Sequence, residues 1–338
     1  MDNLDPKNVL GSTEMFALQC KQIWEEAKKL EFPSEYQNIE NIIVCGMGGS
    51  AYGGYIISSL FKDKLKVPIV SNNDYTIPAF AGENTLVVLS SYSGSTEEVL
   101  SCAQKAKEAG CKLTALTGGG KLEEFLKDAG APALIFEPKH NPSGQPRLGT
   151  GYMVLGMIAL LNRSGILSVS DKEVAKAISE LETDTENIKS KAKEMSEKIK
   201  GFIPVIFSAE FLGGNNHIIR NQFNETSKSF SAFAPLPELN HHLLEGFKNP
   251  EDKKLFVLFI SSDLYSDKLK KRVELTKDVI EKNNVSFDEY KPAGSSKLAQ
   301  MLNTLAFGGY LTLYLAFSYG LDPSLIPWVD YFKAQMEK

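Results

Sequence analysis

Short apolar runs alternate with longer amphipathic stretches through the first half of the chain. The runs fall at residues 42–46, 67–70, 85–91, 112–117 and 132–138, reading "IIVCG", "VPIV", "TLVVLSS", "KLTALT" and "PALIFEP". Between them lie segments with helical spacing, such as residues 95–110, "STEEVLSCAQKAKEAG". Continuous apolar strands separated by helices predict a parallel sheet covered on both faces, since strands buried on both sides need no polar alternation. A leading helix is predicted over residues 12–30, where Phe16, Cys20, Ile23, Ala27 and Leu30 share one face and Pro33 stops it. The apolar helix at residues 151–163, "GYMVLGMIALLNR", closes this first unit.

Residues 170–200 change character. Val174, Ile178, Leu181, Ile188 and Met195 stand isolated among lysines and glutamates, which reads as a solvated helical connector. A second set of strands follows at 202–208, 254–262 and 284–290, with helices at 215–228, 266–283 and 297–320. The predicted fold class is therefore α/β. Two doubly wound parallel-sheet domains, at 1–165 and 201–338, are expected around a charged helical linker at 166–200, with helices at the C-terminus. No residue-level repeat relates the halves.

Composition fits that size of core: 338 residues, 43% hydrophobic and 23% charged. A net charge of −5 offers no basic footprint for nucleic acid or an anionic membrane. The opening "MDNLDPKNVLG" has no apolar signal core, and no apolar run reaches the length of a membrane span. Cys20, Cys45, Cys102 and Cys111 lack C-x-x-C spacing and read as buried thiols of a cytoplasmic protein. The four histidines, His140, His217, His241 and His242, include no H-x-x-x-H pair, so no metal site is expected.

The candidate chemistry starts at residues 41–54, "NIIVCGMGGSAYGG", where a strand runs into five glycines and a serine and then into a helix. Such a turn presents backbone N–H groups, and the helix start adds partial positive charge, so the combination suits an anion. Gly46, Gly48 and Ala51 satisfy the dinucleotide pattern G-x-G-x-x-[GA], with Asp74 near the end of the next strand as the ribose-binding acid. A second loop weighs against that reading. In "SSYSGSTEEV", Ser90, Ser91, Ser93, Ser95 and Thr96 surround Gly94 ahead of a helix, supplying hydroxyl and N–H donors for a phosphate monoester. Two such loops at the ends of neighbouring strands point to one small phosphorylated ligand held between them.

"GMGGSAYGG", "SYSGSTEEVL" and "LTGGGKL" resemble the sugar isomerase domain, a phosphosugar-binding module often found in tandem. "RNQFNETSK" and "PLPELNHHLLEGF" resemble the second half of the bifunctional phosphoglucose/phosphomannose isomerases. The resemblance runs from about residue 40 to the C-terminus. It implies two sugar isomerase domains, a hexose 6-phosphate substrate, no cofactor and a homodimer in which the histidine enters the neighbour's site. It also implies that Gly49, Ser50, Ser91, Ser93 and Thr96 hold the phosphate. Arg147 matches the active-site arginine, Glu225 the catalytic base, His241 the ring-opening histidine and Lys333 the lysine of the last helix.

Each residue type has a chemical reason. Moving a carbonyl from C1 to C2 takes a base that removes a carbon-bound proton and returns it next door, and partial desolvation brings a carboxylate into that range. The cis-enediolate carries negative charge that a fixed guanidinium can stabilise. A closed ring must open first, which suits histidine and lysine. His242, adjacent to His241, is expected to pack or support. The leading expectation is reversible isomerisation of glucose 6-phosphate and fructose 6-phosphate, independent of metal. A non-catalytic phosphosugar sensor and a nicotinamide-dependent oxidoreductase are the alternatives. Mannose 6-phosphate turns on Ile326: family members that accept both epimers carry threonine before the corresponding proline, whereas this chain reads "DPSLIPW".

Overall fold

The computed structural model describes residues 4–336 and contains two parallel sheets. The first holds β1 (Asn41–Cys45), β2 (Ile69–Asn72), β3 (Thr85–Ser91), β4 (Lys112–Thr117) and β5 (Ala133–Ile135), in spatial order β2-β1-β3-β4-β5. The second holds β6 (Ile203–Ala209), β7 (Ala232–Leu236), β8 (Leu255–Ile260) and β9 (Ser286–Tyr290), in order β7-β6-β8-β9. The doubly wound order reverses at β1/β3 in one sheet and at β6/β8 in the other, and ligands of such sheets bind at those reversal points.

The helices are α1 (Val9–Glu14), α2 (Phe16–Ala27), α3 (Tyr52–Leu60), α4 (Glu97–Glu108), α5 (Gly120–Ala129), α6 (Thr150–Arg163), α7 (Asp171–Ile199), α8 (Gly213–Glu225), α9 (Asp267–Lys282), α10 (Lys297–Ser318) and α11 (Pro327–Met336). Every residue of β3 is buried, as the continuous apolar run requires. Its alternate residues feed two cores. Leu86 and Val88 join α2, α3 and α6, while Val87 and Leu89 pack with Val99, Cys102 and Leu126 of α4 and α5. The first of these cores continues without interruption into the second half of the chain, through α7, α8 and α10.

Three expectations change. The leading helix is two helices, broken at Met15, because α1 packs on α10 and α2 on α6. The charged connector is not solvated all round: Val174, Ile178, Leu181, Ile188 and Met195 form the buried stripe by which α7 lies along α10, and the lysines and glutamates take the other face. A capping box between Ser170 and Glu173 starts this helix. Strand β7, unread in the sequence, contains Pro235, which a strand tolerates at the edge where β7 lies. All four cysteines are free and buried. Among the described residues, no helix is long and apolar enough to cross a membrane.

Candidate active site

The two serine–glycine loops meet at the β1/β3 reversal. After β1, Gly48 takes a left-handed φ of 51°, a 3-10 turn runs over Gly48–Ala51, and α3 begins at the buried Tyr52. The Ser50 hydroxyl accepts the Tyr92 N–H at 3.0 Å, and the Ser50 carbonyl accepts the Ser90 hydroxyl at 2.6 Å. The loops are therefore bonded to each other before any ligand arrives. Within the second, Ser91 Oγ accepts the Gly94 N–H at 3.1 Å and shares a 2.8 Å hydrogen bond with the Thr96 hydroxyl. Gly94 has φ 66°, and a β-carbon there would lie 1.6 Å from the Gly119 carbonyl oxygen, so the "LTGGGKL" turn closes tightly behind this loop. Ser93 is exposed at the mouth.

Arg147 lies on the 3-10 turn Pro146–Leu148 ahead of α6 and is buried. Its Nη1 donates to Gln145 Oε1 at 2.9 Å, and its Nη2 donates to the carbonyls of Pro323 and Ser324 at 2.9 and 2.8 Å. Its buried Nε–H has no partner.

The second half of the chain supplies the carboxylate. Helix α8 follows β6 as α3 follows β1, and the two helices pack so closely that a β-carbon on Gly214 would lie 2.4 Å from the Tyr55 carbonyl oxygen. This crossing brings Glu225, at the end of α8, to the first-sheet site. Burial raises the Glu225 carboxyl above the ordinary carboxylate range, against the opposing pull of Arg147 and Lys333. Burial lowers the Arg147 guanidinium, with Glu225 countering it. Among the described residues, none donates a hydrogen bond to the Glu225 carboxylate.

Of the residues singled out in the sequence, Gly49, Ser50, Ser91, Ser93, Thr96, Arg147, Glu225 and Lys333 converge on this region. Lys333 sits on the exposed α11, from which its charge reaches Glu225. Ile326 is partly buried just before that helix, and its carbonyl accepts the Asp330 N–H. His241 stands apart: it is exposed at the end of the 3-10 turn Glu238–His241, and it is not among the charges acting on Glu225. His242 instead pairs with Glu238 at 2.8 Å. His217, also outside the site, stacks on Tyr55 with ring centroids 4.1 Å apart, and burial lowers it to about 4.

Two site residues escaped the sequence reading. Tyr52 is fully buried where the charges of Glu225, Arg147 and Arg220 all act on it, and its only signal was its place as the first helical residue after the glycines. Lys228 lies within "RNQFNETSK", but the groups it meets are distant in sequence. Among the described residues, no three His, Cys, Asp or Glu side chains could hold a metal ion together.

Residues 188–336 match the bacterial phospho-glucose isomerase C-terminal SIS domain. The chain is 32% identical over 332 residues to a bifunctional phosphoglucose/phosphomannose isomerase of Caldicellulosiruptor bescii, covering 94% of this chain and 96% of that one. It is 33% identical to a protein of the same name from Aquifex aeolicus, covering 93% and 94%. Among solved structures, tagatose-6-phosphate ketose/aldose isomerase from Escherichia coli shares the fold with a TM-score of 0.67 and 15% identity, over 96% of this chain and 94% of that one. At about a third identity over nearly the whole length of both chains, the chain belongs to the bifunctional phosphoglucose/phosphomannose isomerase family.

Proposed function

We propose that the chain catalyses reversible aldose–ketose isomerisation of glucose 6-phosphate and fructose 6-phosphate through a cis-enediolate. The observation that carries this reading is the mutual charge interaction of Glu225 and Arg147, a carboxylate made more basic by desolvation within reach of a guanidinium whose buried Nε–H has no partner. Glu225 takes the proton from the substrate carbon and returns it to the neighbouring one, and Arg147 stabilises the charge that develops on oxygen between the two steps. Gly49, Ser50, Ser91, Ser93 and Thr96 hold the phosphate, which stays unchanged, at the starts of α3 and α4.

Ring opening falls to His241 with Lys333. Because His241 is exposed and apart from Glu225, the reading gives it to a second subunit's site in a homodimer. Helix α11 supports that assembly: it buries nothing in the single chain and leaves Trp328 81% and Phe332 63% exposed. Residues 1–165 and 201–338 are taken as the two sugar isomerase domains, with 166–200 joining them. The free, buried cysteines suit a reducing cytoplasm. Mannose 6-phosphate, which the relatives' names include, is read as a slower substrate.

One coupled assay tests the reading, with glucose, mannose and glucosamine 6-phosphates offered to the purified protein. Turnover of glucose 6-phosphate to fructose 6-phosphate is expected. Tight binding without turnover would make the protein a sensor instead, and nicotinamide reduction would make it an oxidoreductase.

A further inference from the structure

Lys228 stands three residues beyond Glu225, in the turn that ends α8. Its φ is 53°, in the left-handed region where a β-carbon costs roughly 1–2 kcal/mol and glycine or asparagine is the usual occupant. A lysine in that conformation needs compensation, and its side chain supplies it. The ammonium donates to the Thr226 carbonyl at 3.1 Å and to the Asp322 carbonyl at 2.7 Å. The next two carbonyls of that segment, Pro323 and Ser324, are the ones that Arg147 Nη2 holds. Three successive carbonyls thus receive two cations, one from each half of the chain. The segment is braced from within as well, since the Asp322 carboxylate accepts both the N–H and the hydroxyl of Ser324 at 2.7 Å.

We propose that Lys228 is a positioning residue: by holding the Asp322 carbonyl it sets the 322–324 segment on which the Arg147 guanidinium is oriented toward Glu225. The effect on turnover rests on the isomerase reading. The effect on geometry does not. Arg147 reaches the segment by one nitrogen, so a shift of the segment turns the guanidinium about its remaining bond to Gln145. Displacing a group that stabilises developing charge lowers the rate of the chemical step more than it lowers binding.

The arrangement sets two positive charges against one backbone segment. Lys228 is an exposed residue, yet partial desolvation of its ammonium, then repulsion by Arg147, brings it down to about 8, with the Asp322 carboxylate opposing. Behind Arg147 stand Glu225, Asp322 and Asp330, and Lys333 acts on Glu225 from α11. Lys228 is therefore charged below about pH 8 and loses a proton, and part of its hold on the segment, as pH rises through that value.

The test compares wild type, Lys228→Gly and Lys228→Arg by kinetics on glucose 6-phosphate from about pH 6 to 10, with thermal melts and a crystal structure of the glycine variant. Glycine relieves the backbone strain and removes the hold, so Tm should stay within about 4 °C while kcat falls by about 10- to 100-fold and KM changes less than about threefold. The alkaline limb near pH 8 should vanish in Lys228→Gly and move upward in Lys228→Arg, which should recover most of kcat, because arginine keeps its charge. A glycine variant within about twofold of wild-type kcat, or an unmoved alkaline limb in the arginine variant, would overturn the proposal. So would a crystal structure in which residues 322–324 and Arg147 keep their places without the lysine. If wild type shows no isomerisation, the isomerase reading fails by itself, and that crystal structure decides the positioning role.

Discussion

Gly49 lies so close to Arg147 that a β-carbon on it would sit 3.3 Å from the arginine's Cα. The glycine loop after β1 and the arginine ahead of α6 thus meet at a close backbone contact. Gly49→Ala should push the two apart by a few tenths of an ångström. Because Arg147 is tied to Gln145, Pro323 and Ser324, it cannot follow freely. We expect kcat/KM to fall by about tenfold, or ~1.4 kcal/mol, with little change in Tm. Unchanged kinetics would show that the contact carries no functional constraint.

Glu225→Gln should abolish turnover and leave phosphosugar affinity within a few fold, because glutamine keeps the shape and cannot take the proton. A variant keeping a tenth of wild-type kcat would remove Glu225 as the base. The same substitution should raise Tm at neutral pH. The surroundings raise the Glu225 pKa in the folded state, so they favour its neutral form despite Arg147, and stability from this group falls as pH rises from the ordinary carboxylate value through the raised one. Glutamine removes that loss. In wild type, kcat/KM should decline on the acid side at a pH above the usual carboxylate range.

Ser50→Ala and Thr96→Val should both raise KM, and they should part company in stability. The Ser50 hydroxyl is the acceptor for the buried Tyr92 N–H, so its loss leaves that donor unpaired, at a cost of about 1–3 kcal/mol. Thr96 sits on the helix start with its hydroxyl bonded to Ser91, which retains the Gly94 N–H. Its replacement should leave the melting curve nearly unmoved. A collapse of kcat at constant KM in either variant would place that hydroxyl at the reacting carbons.

Subunit mixing addresses His241. Glu225→Gln and His241→Ala should each be inactive alone. If sites are shared across a two-fold dimer, a refolded equimolar mixture should regain about a quarter of wild-type activity, since half the dimers carry one intact site. No recovery would confine His241 to its own subunit or remove it from the reaction.

Ile326 governs the choice of epimer in this reading. Its partly buried side chain precedes α11, and a difference of about a methylene in a pocket is worth roughly 1–3 kcal/mol. Mannose 6-phosphate should be the slower substrate, and Ile326→Thr should narrow the gap. Equal kcat/KM for the two sugars in wild type would end the assignment. Both activities should persist in EDTA, because the charge on the enediolate is assigned to Arg147.

What the residues alone determined is local. Continuous apolar runs such as 85–91 bury on both faces wherever they go, so the strands and the parallel class were readable from them. Glycines 46–54 and the serines of 90–95 raised the expectation of a phosphate site because their backbone and hydroxyl chemistry is written within a few residues. The stripe on α7 was visible too, as isolated apolar positions, but its burial came from α10, more than a hundred residues onward. The tertiary structure alone decided which side chains act as a set. It packed α8 on α3 through Gly214, brought Glu225 within reach of the Arg147 charge and partly desolvated the carboxylate, which raises its proton affinity. It also left His241 outside and gave Lys228 its partner at Asp322. Proton affinity and orientation depend on burial and on neighbours, and a linear order of residues carries neither.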